Sequence, residues 1–354
     1  MRTHIRKHKE PDTNKERGDW FFRRSTYPLR DAPPLALEAF WDNMDHYAHA
    51  HRVEWQEMGP RNYPGRVTCL ARDPNNGDLF AGAAAGGVWK SIDGGDNWFP
   101  AWPKLLSQHI GALAIHPTDS ASLYCATGEA NLSADSYAGS GVYQTRDCGV
   151  TWIPSFVPVV PGKGGVEPMS LPRRIGALTF GRFAKDDYRI ALGAVSSSEA
   201  LPAALYLDEG DNGLQPCTFW GDRNYNCHSV VFHPRKSKTL YVAIEPRGPL
   251  NGIWRSEDFG RKWVRLARGL PQGEDCGRIS LAISPSDPDV LYALVASRAH
   301  GARGVYRTRN GGESWKETGA RHFANEVNLT YNNTIAVHPK DPEFVLAEIG
   351  RAHV

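Results

Sequence analysis

The chain has 354 residues, 41% hydrophobic and 23% charged, enough to bury a substantial core and, by length alone, to form two domains. A net charge of +2 leaves no overall basic surface of the kind a nucleic-acid binder carries. No apolar stretch approaches the roughly 20 residues of a membrane-spanning helix, and the six cysteines show neither a CxxC pair nor metal-ligand spacing, so no metal or disulfide framework is expected.

Residues 1–32 are polar, and residues 1–30 hold nine Lys/Arg against four Asp/Glu, which predicts a basic, solvated tail. The tail lacks a following apolar region and is no signal peptide as written, so export would need a start upstream of Met1. Over residues 33–52, Leu37, Phe40, Trp41, Met44 and Tyr47 recur at helical spacing behind Pro34, predicting a short helix packed on the main domain. His46, His49 and His51 lie near Asp42 and Asp45 but match no ligand pattern and read as a polar face.

From Val53 the chain repeats. VEWQEMGP at Val53 to Pro60 resembles the strand that ends later units, as expected of a segment closing the last unit of a circular fold. Each unit then follows one recipe. An inner strand rich in small apolar residues comes first: VTCLARDP from Val67, IGALAIHP from Ile110, IGALTFGR from Ile175, SVVFHP from Ser229, SLAISP from Ser280 and TIAVHP from Thr334. Such runs suit strands buried on both faces, with Cys69 and Cys125 as small core residues. A second strand, a loop and a third strand follow, as in SLYCATG and GVYQT.

A short box ends four units: Ser91, Asp93, Gly95, Trp98; Thr145, Asp147, Gly149, Trp152; Ser256, Asp258, Gly260, Trp263; and Thr308, Asn310, Gly312, Trp315. The hydroxyl and the carboxylate or amide can accept backbone N–H groups inside a tight turn, Gly supplies a conformation closed to other residues, and Trp offers a large packing face. The first residues lie at 91, 145, 256 and 308, so the middle gap holds two periods and an eroded copy is expected in ALYLDEGDNG from Ala204, ending at Trp220. A period near 50 residues with four strands per unit predicts an all-β propeller. Blades are expected at about 59–104, 105–160, 170–222, 225–270 and 275–320, with an incomplete sixth at 325–347.

The four boxes resemble the Asp-box, or BNR, repeat of β-propellers found in sialidases, sortilin-type receptors, xyloglucanase-type glycoside hydrolases and photosystem II assembly factors. GPRNYPGRV from Gly59, AGGVWKSIDGGDNW and GEANLSADSYAGSGVYQTRDCGVTW are most similar to the bacterial BNR-repeat, sortilin-like group. The resemblance covers about residues 53–347 and implies fold without function, since the repeat occurs in enzymes and binding proteins alike. EIGRAHV from Glu348 abandons the repeat and back-translates to a common sequencing-adapter read-through. Residues 348–354 are therefore expected to be a non-biological tail on a fragment of a protein of about six to eight blades, monomeric when full-length.

Residues that recur in every unit serve the blade, so function is sought where units differ. His116, His233 and His338 share one His-Pro turn position and are set aside, as are the box aspartates. Arg66, His109, Arg174, His228 and Arg278 precede successive inner strands and form a partly cationic ring at one channel mouth, suited to a carboxylate or other anion. The loops between second and third strands add Glu129, Asn131, Asp135 and Tyr137; Glu245 and Arg247; and Arg298 and Arg303. A sialidase-like site needs an arginine cluster, a Tyr with a Glu, and an acid, and Glu129, Asp135 and Tyr137 are the catalytic candidates beside Arg66, Arg174 and Arg278. The xyloglucanase-type catalytic Asp has no counterpart in FAGAAAGGVWKS. The sequence thus reads as a non-catalytic propeller binding a protein, peptide or glycan at a channel mouth, without cofactor. The alternatives are an exo-sialidase-like or glucanase-like glycoside hydrolase and an assembly factor for a larger complex.

Overall fold

The computed structural model describes residues 65–102, 107–131, 136–155, 174–196, 203–221, 225–245, 250–272, 276–297, 301–318 and 329–348. The expected tail, the 33–52 helix, the Val53–Met58 strand, Asp135, Arg247, Arg298 and residues 349–354 lie outside the described residues.

The predicted recipe is the observed one. The first blade is β1 (Val67–Arg72), β2 (Leu79–Ala83), β3 (Val88–Ser91) and β4 (Phe99–Pro100); the second is β5 (Ile110–His116), β6 (Asp119–Thr127), β7 (Val142–Thr145) and β8 (Ile153–Ser155). The third is β9 (Ile175–Ala184), β10 (Asp187–Ala194), β11 (Leu205–Asp208) and β12 (Leu214–Pro216). The fourth is β13 (Asn226–Phe232), β14 (Leu240–Glu245), β15 (Gly252–Ser256) and β16 (Val264–Leu266). The fifth is β17 (Cys276–Ile283), β18 (Leu291–Ser297), β19 (Ala302–Thr308) and β20 (Lys316–Glu317), and β21 (Thr334–Val337) pairs with β22 (Val345–Glu348) in the sixth. Each sheet is an antiparallel meander in chain order. Glu348, expected in the tail, pairs with Thr334 inside the last sheet.

Two-residue alternation gives every blade two apolar faces, and blades stack face to face around the inner strands. The core is consequently five clusters, one per junction. In the first, Phe80 and Val88 of one blade meet Leu113, Cys125 and Tyr143 of the next; in the fourth, Tyr241 and Ile253 meet Leu281 and Tyr306.

The boxes close the outer hairpins by one hydrogen-bond scheme. The first hydroxyl accepts the Gly N–H, at 2.9 Å for Ser91 and Gly95, 3.0 Å for Thr145 and Gly149, 2.8 Å for Ser256 and Gly260, and 3.0 Å for Thr308 and Gly312. It donates to the acidic or amide side chain, and that group accepts the N–H four residues on. The four glycines have φ between 87° and 105°, a region costly for any Cβ. Backbone and side-chain donors of Asn97 hold the Asp93 carboxyl down at about 2, and the Thr151 hydroxyl and N–H do the same for Asp147. A folded pKa below the unfolded value of about 3.9 gives stability that is present above that value and lost as pH falls toward 2. Asp147→Ala is therefore expected to unfold more easily at pH 7, the gap from wild type closing by pH 2 in denaturant titrations.

The eroded copy is read differently by the structure. A 3-10 turn at Gly210–Asn212 replaces the box, and Leu214, the first residue of β12, pairs with Asp208 directly after it. Trp220 is not the box Trp. It packs on Trp263 at 5.0 Å, as Trp102 packs on Trp152 at 5.0 Å, so it belongs to the segment after the box. His116, His233 and His338 are turn residues as expected, each ring Nδ1 accepting backbone N–H groups just after it. Burial of every inner strand on both faces does not hold for β1 and β21, where Val67, Leu70, Arg72, Thr334 and Ala336 are exposed.

Candidate functional site

Inner strands begin, and second strands end, at one mouth of the channel, so the connections from second to third strand gather there. Five inner strands carry a bulge near their start: at Thr68, Gly111, Gly176, His228, and Gly277 with Arg278. A bulge re-aims one side chain toward the axis. In the second and third blades only Gly fits, because a Cβ on Gly111 would meet the carbonyl oxygens of Ile175 and Gly128, and one on Gly176 would meet Ala130. The space is taken by Gly128 to Ala130, the start of the long connection from β6 to β7. The loop enters the channel.

Once inside, it meets the predicted ring. Glu129, 1% exposed, accepts from Arg66 Nη2 at 2.6 Å through Oε2 and from the Tyr331 hydroxyl at 3.3 Å through Oε1. Asn131 Oδ1 accepts from Arg278 Nη1 at 2.6 Å, and the same nitrogen reaches the Tyr331 carbonyl at 2.8 Å. Arg174 Nη2 donates to the Ser136 carbonyl at 2.9 Å, while the Ser136 hydroxyl donates to the Asn131 carbonyl. One connection thereby ties the first, third, fifth and sixth blades together across the mouth.

The remaining ring members pair more locally. His109 Nδ1 donates to the Ala84 carbonyl at 2.8 Å and its ring stacks on Tyr137 with centroids 4.5 Å apart. Burial, aided by Arg66, pushes the His109 pKa down against the pull of the Ala84 carbonyl. His228 Nε2 lies 2.5 Å from Glu245 Oε2. Burial holds His228 neutral despite Glu245; burial also opposes ionisation of Glu245, but the bond from His228 overcomes it and the carboxyl titrates below its usual range. We therefore read the pair as imidazole N–H to carboxylate. Burial pushes Arg278 down to about 10, still charged at neutral pH.

Two sequence expectations change here. His228 and Arg278 do not precede their strands, because β13 and β17 begin earlier than Ser229 and Ser280, so both occupy the bulge itself. The ring is also not an open cradle for a foreign anion. Its guanidinium groups already bind Glu129, Asn131 and the Ser136 and Tyr331 carbonyls of the same chain. Glu129, Asn131 and Tyr137, the loop residues the sequence pointed to, lie beside Arg66, Arg278 and His109, together with Tyr331, which the sequence reading did not single out. The signal was present: Tyr331 stands four residues before Ile335, as Arg66, His109 and Arg174 stand before Leu70, Leu113 and Leu178. Past the plug, a cavity of about 260 Å³ lies between β1, β5 and β9, lined by Ala71, Arg72, Leu113, Ile115, Leu178 and Phe180 among others. Among the described residues, no group of three His, Cys, Asp or Glu side chains is placed to hold a metal ion, and no helix is long and apolar enough to cross a membrane.

No family model matches the chain. A xyloglucanase from Paenibacillus sp. is 24% identical over 290 residues, covering 80% of this chain and 23% of that protein. The crystal structure of an ancestral GH74 enzyme superposes with a TM-score of 0.58 at 20% identity, over 81% of this chain and 35% of that one. The fold is a β-propeller. A further solved structure, YCF48 bound to D1 peptide, aligns with a TM-score of 0.49 at 15% identity, over 83% of this chain and 80% of that one. The chain thus spans about a quarter of the length of the curated relative it matches.

Proposed function

We propose that the chain is an Asp-box propeller of the binding kind, seating a peptide or glycan on the groups around its plugged mouth: Arg66, His109, Tyr137 and Tyr331. The four hydrogen-bonded boxes support the Asp-box assignment. The observation that carries the binding reading is the state of Glu129. A glycosidase acid or nucleophile needs a carboxyl group facing the substrate, whereas Glu129 is buried with one oxygen on Arg66 and the other on Tyr331. Glu245 is likewise tied to His228. The stacked His109 and Tyr137 rings and the Tyr331 ring, 5.9 Å below the Arg66 guanidinium, offer flat faces and a cation of the kind that hold sugars or peptide side chains.

The second reading is a glycoside hydrolase, favoured by the similarity to a xyloglucanase over 290 residues. One experiment separates the two. Incubation with xyloglucan and with a β-glucan is expected to release no reducing ends, while peptide and glycan arrays yield a ligand whose affinity falls roughly tenfold in Tyr137→Ala, the loss of one aromatic contact. Release of reducing ends that disappears in Glu129→Gln would establish the hydrolase instead.

A further inference from the structure

The side of the propeller opposite the plugged mouth is made of the turns from inner to second strands and of the outer hairpins, and in the first five blades all of these turns lie among the described residues. Charge is spread unevenly over it. The connection from β9 to β10 and the one from β13 to β14 carry Arg182, Lys185, Arg235, Lys236 and Lys238, and none of the five is ion-paired with a described carboxylate. The first connection brings two acids, Asp186 and Asp187, of which Asp187 is taken by Arg189 at 3.2 Å.

The two connections are fastened to each other across the junction of the third and fourth blades. Lys238 N–H donates to the Arg182 carbonyl at 3.0 Å, and Arg182 Nε donates to the Ser237 hydroxyl at 3.3 Å. Lys238 Nζ is held 4.3 Å from the centre of the Phe183 ring, and Arg235 Nη2 donates to the Ser286 carbonyl at 2.7 Å. The cations therefore stand on a fixed backbone, with Lys185 and Lys236 exposed. Their field is felt beneath them: burial lowers the pKa of His233, and Lys236 and Arg235 push it the same way against Asp289.

The patch is also bounded. Asp119 is exposed in the corresponding turn of the second blade, Asp287 and Asp289 are exposed in that of the fifth, and Glu209 and Asp211 are exposed in the outer hairpin of the third. A long chain of uniform negative charge, such as a nucleic acid or a polyuronate, would run from the cations onto these carboxylates and be repelled there. A short run of carboxylates with neutral neighbours meets the cations alone. None of the large exposed apolar side chains lies on the two connections, so the patch offers nothing to insert into a lipid surface.

We propose that this patch docks a short run of Asp or Glu in a partner protein, at a surface separate from the mouth. Complementary charge on rigid turns steers the encounter, and the surrounding acids exclude longer polyanions.

Fluorescence anisotropy with a labelled Gly-Ser-Glu-Glu-Glu-Glu-Ser-Gly peptide tests this. Binding is expected at about 0.01 M salt and should weaken at about 0.15 M, where the screening length falls from roughly 30 Å to roughly 8 Å. Lys185→Glu and Lys236→Glu should each weaken it about tenfold, whereas Arg146→Glu, the same change of charge on an exposed arginine of the second blade's outer hairpin, should weaken it less than about twofold. Absence of binding at low salt, or an equal loss in Arg146→Glu, overturns the proposal. So does tighter binding of a thymidine oligonucleotide or an oligouronate of the same net charge, or of phosphatidylserine vesicles, than of the peptide. Far-ultraviolet circular dichroism checks that each variant is folded, and Lys185→Gln and Lys236→Gln, which remove a charge without reversing it, repeat the test with an expected loss of about threefold should a glutamate variant fail that check.

Discussion

Replacing Arg66 with alanine is expected to lower the free energy of unfolding by about 3 kcal/mol in denaturant titrations, because it removes the cation from a carboxylate that has no access to water. Glu129 is 1% exposed, whereas the Arg66 side chain is 39% exposed. The pair is therefore asymmetric. Glu129→Gln leaves a guanidinium that can turn toward solvent, so its cost should be nearer 1 kcal/mol, of the order of one charge-assisted hydrogen bond. The double variant Arg66→Ala/Glu129→Gln should then be more stable than Arg66→Ala alone, since the stranded charge is gone. Equal losses for the two single variants would mean that water reaches Glu129 and that the plug is looser than its geometry.

Gly111→Ala should have an effect of similar size by a different route. Its new Cβ would press on the carbonyl oxygens of Ile175 and Gly128, which are backbone atoms and cannot rotate away. Overpacking of this kind costs about 3 kcal/mol where it forces backbone to move. Here the backbone that moves is the start of the plug: Gly128 donates to the His109 carbonyl at 2.7 Å and accepts from Ile175 N–H at 3.2 Å. Limited proteolysis should accordingly cut the connection between β6 and β7 faster in Gly111→Ala than in wild type. The losses from Gly111→Ala and Arg66→Ala should also be less than additive, because one segment carries both. Unchanged proteolysis with full additivity would separate Gly111 from the plug.

Much of the fold was legible because each blade repeats the same local instructions. The starts of β1, β5, β9 and β21 coincide with the apolar runs at Val67, Ile110, Ile175 and Thr334. The box hydroxyls, carboxylates and glycines make the turn contacts their chemistry implies. The eroded unit was found by its spacing, but its Trp220 was misassigned. One large aromatic ring resembles another in sequence, and only its packing on Trp263 shows which blade position it fills.

The candidate site was half legible. Loop length and polarity pointed to Glu129, Asn131 and Tyr137, and charge pointed to Arg66, Arg174 and Arg278. Their mutual saturation was not readable, because Arg66 and Glu129 are 63 residues apart and Arg278 and Asn131 are 147 apart. The bulges were hidden for a related reason: a bulge depends on how many residues the neighbouring strand supplies, and a single strand does not contain that number.

By itself, then, the sequence determined the blade: alternation, turn chemistry and a period near 50 residues are local properties, and each is decided by neighbours in the chain. Which charges meet and where Tyr331 stands were decided only when the blades were set around one axis. Long-range contacts follow from that arrangement, and a ring of cations that looked like a vacancy in the sequence is, in three dimensions, filled by the chain's own Glu129 and Asn131.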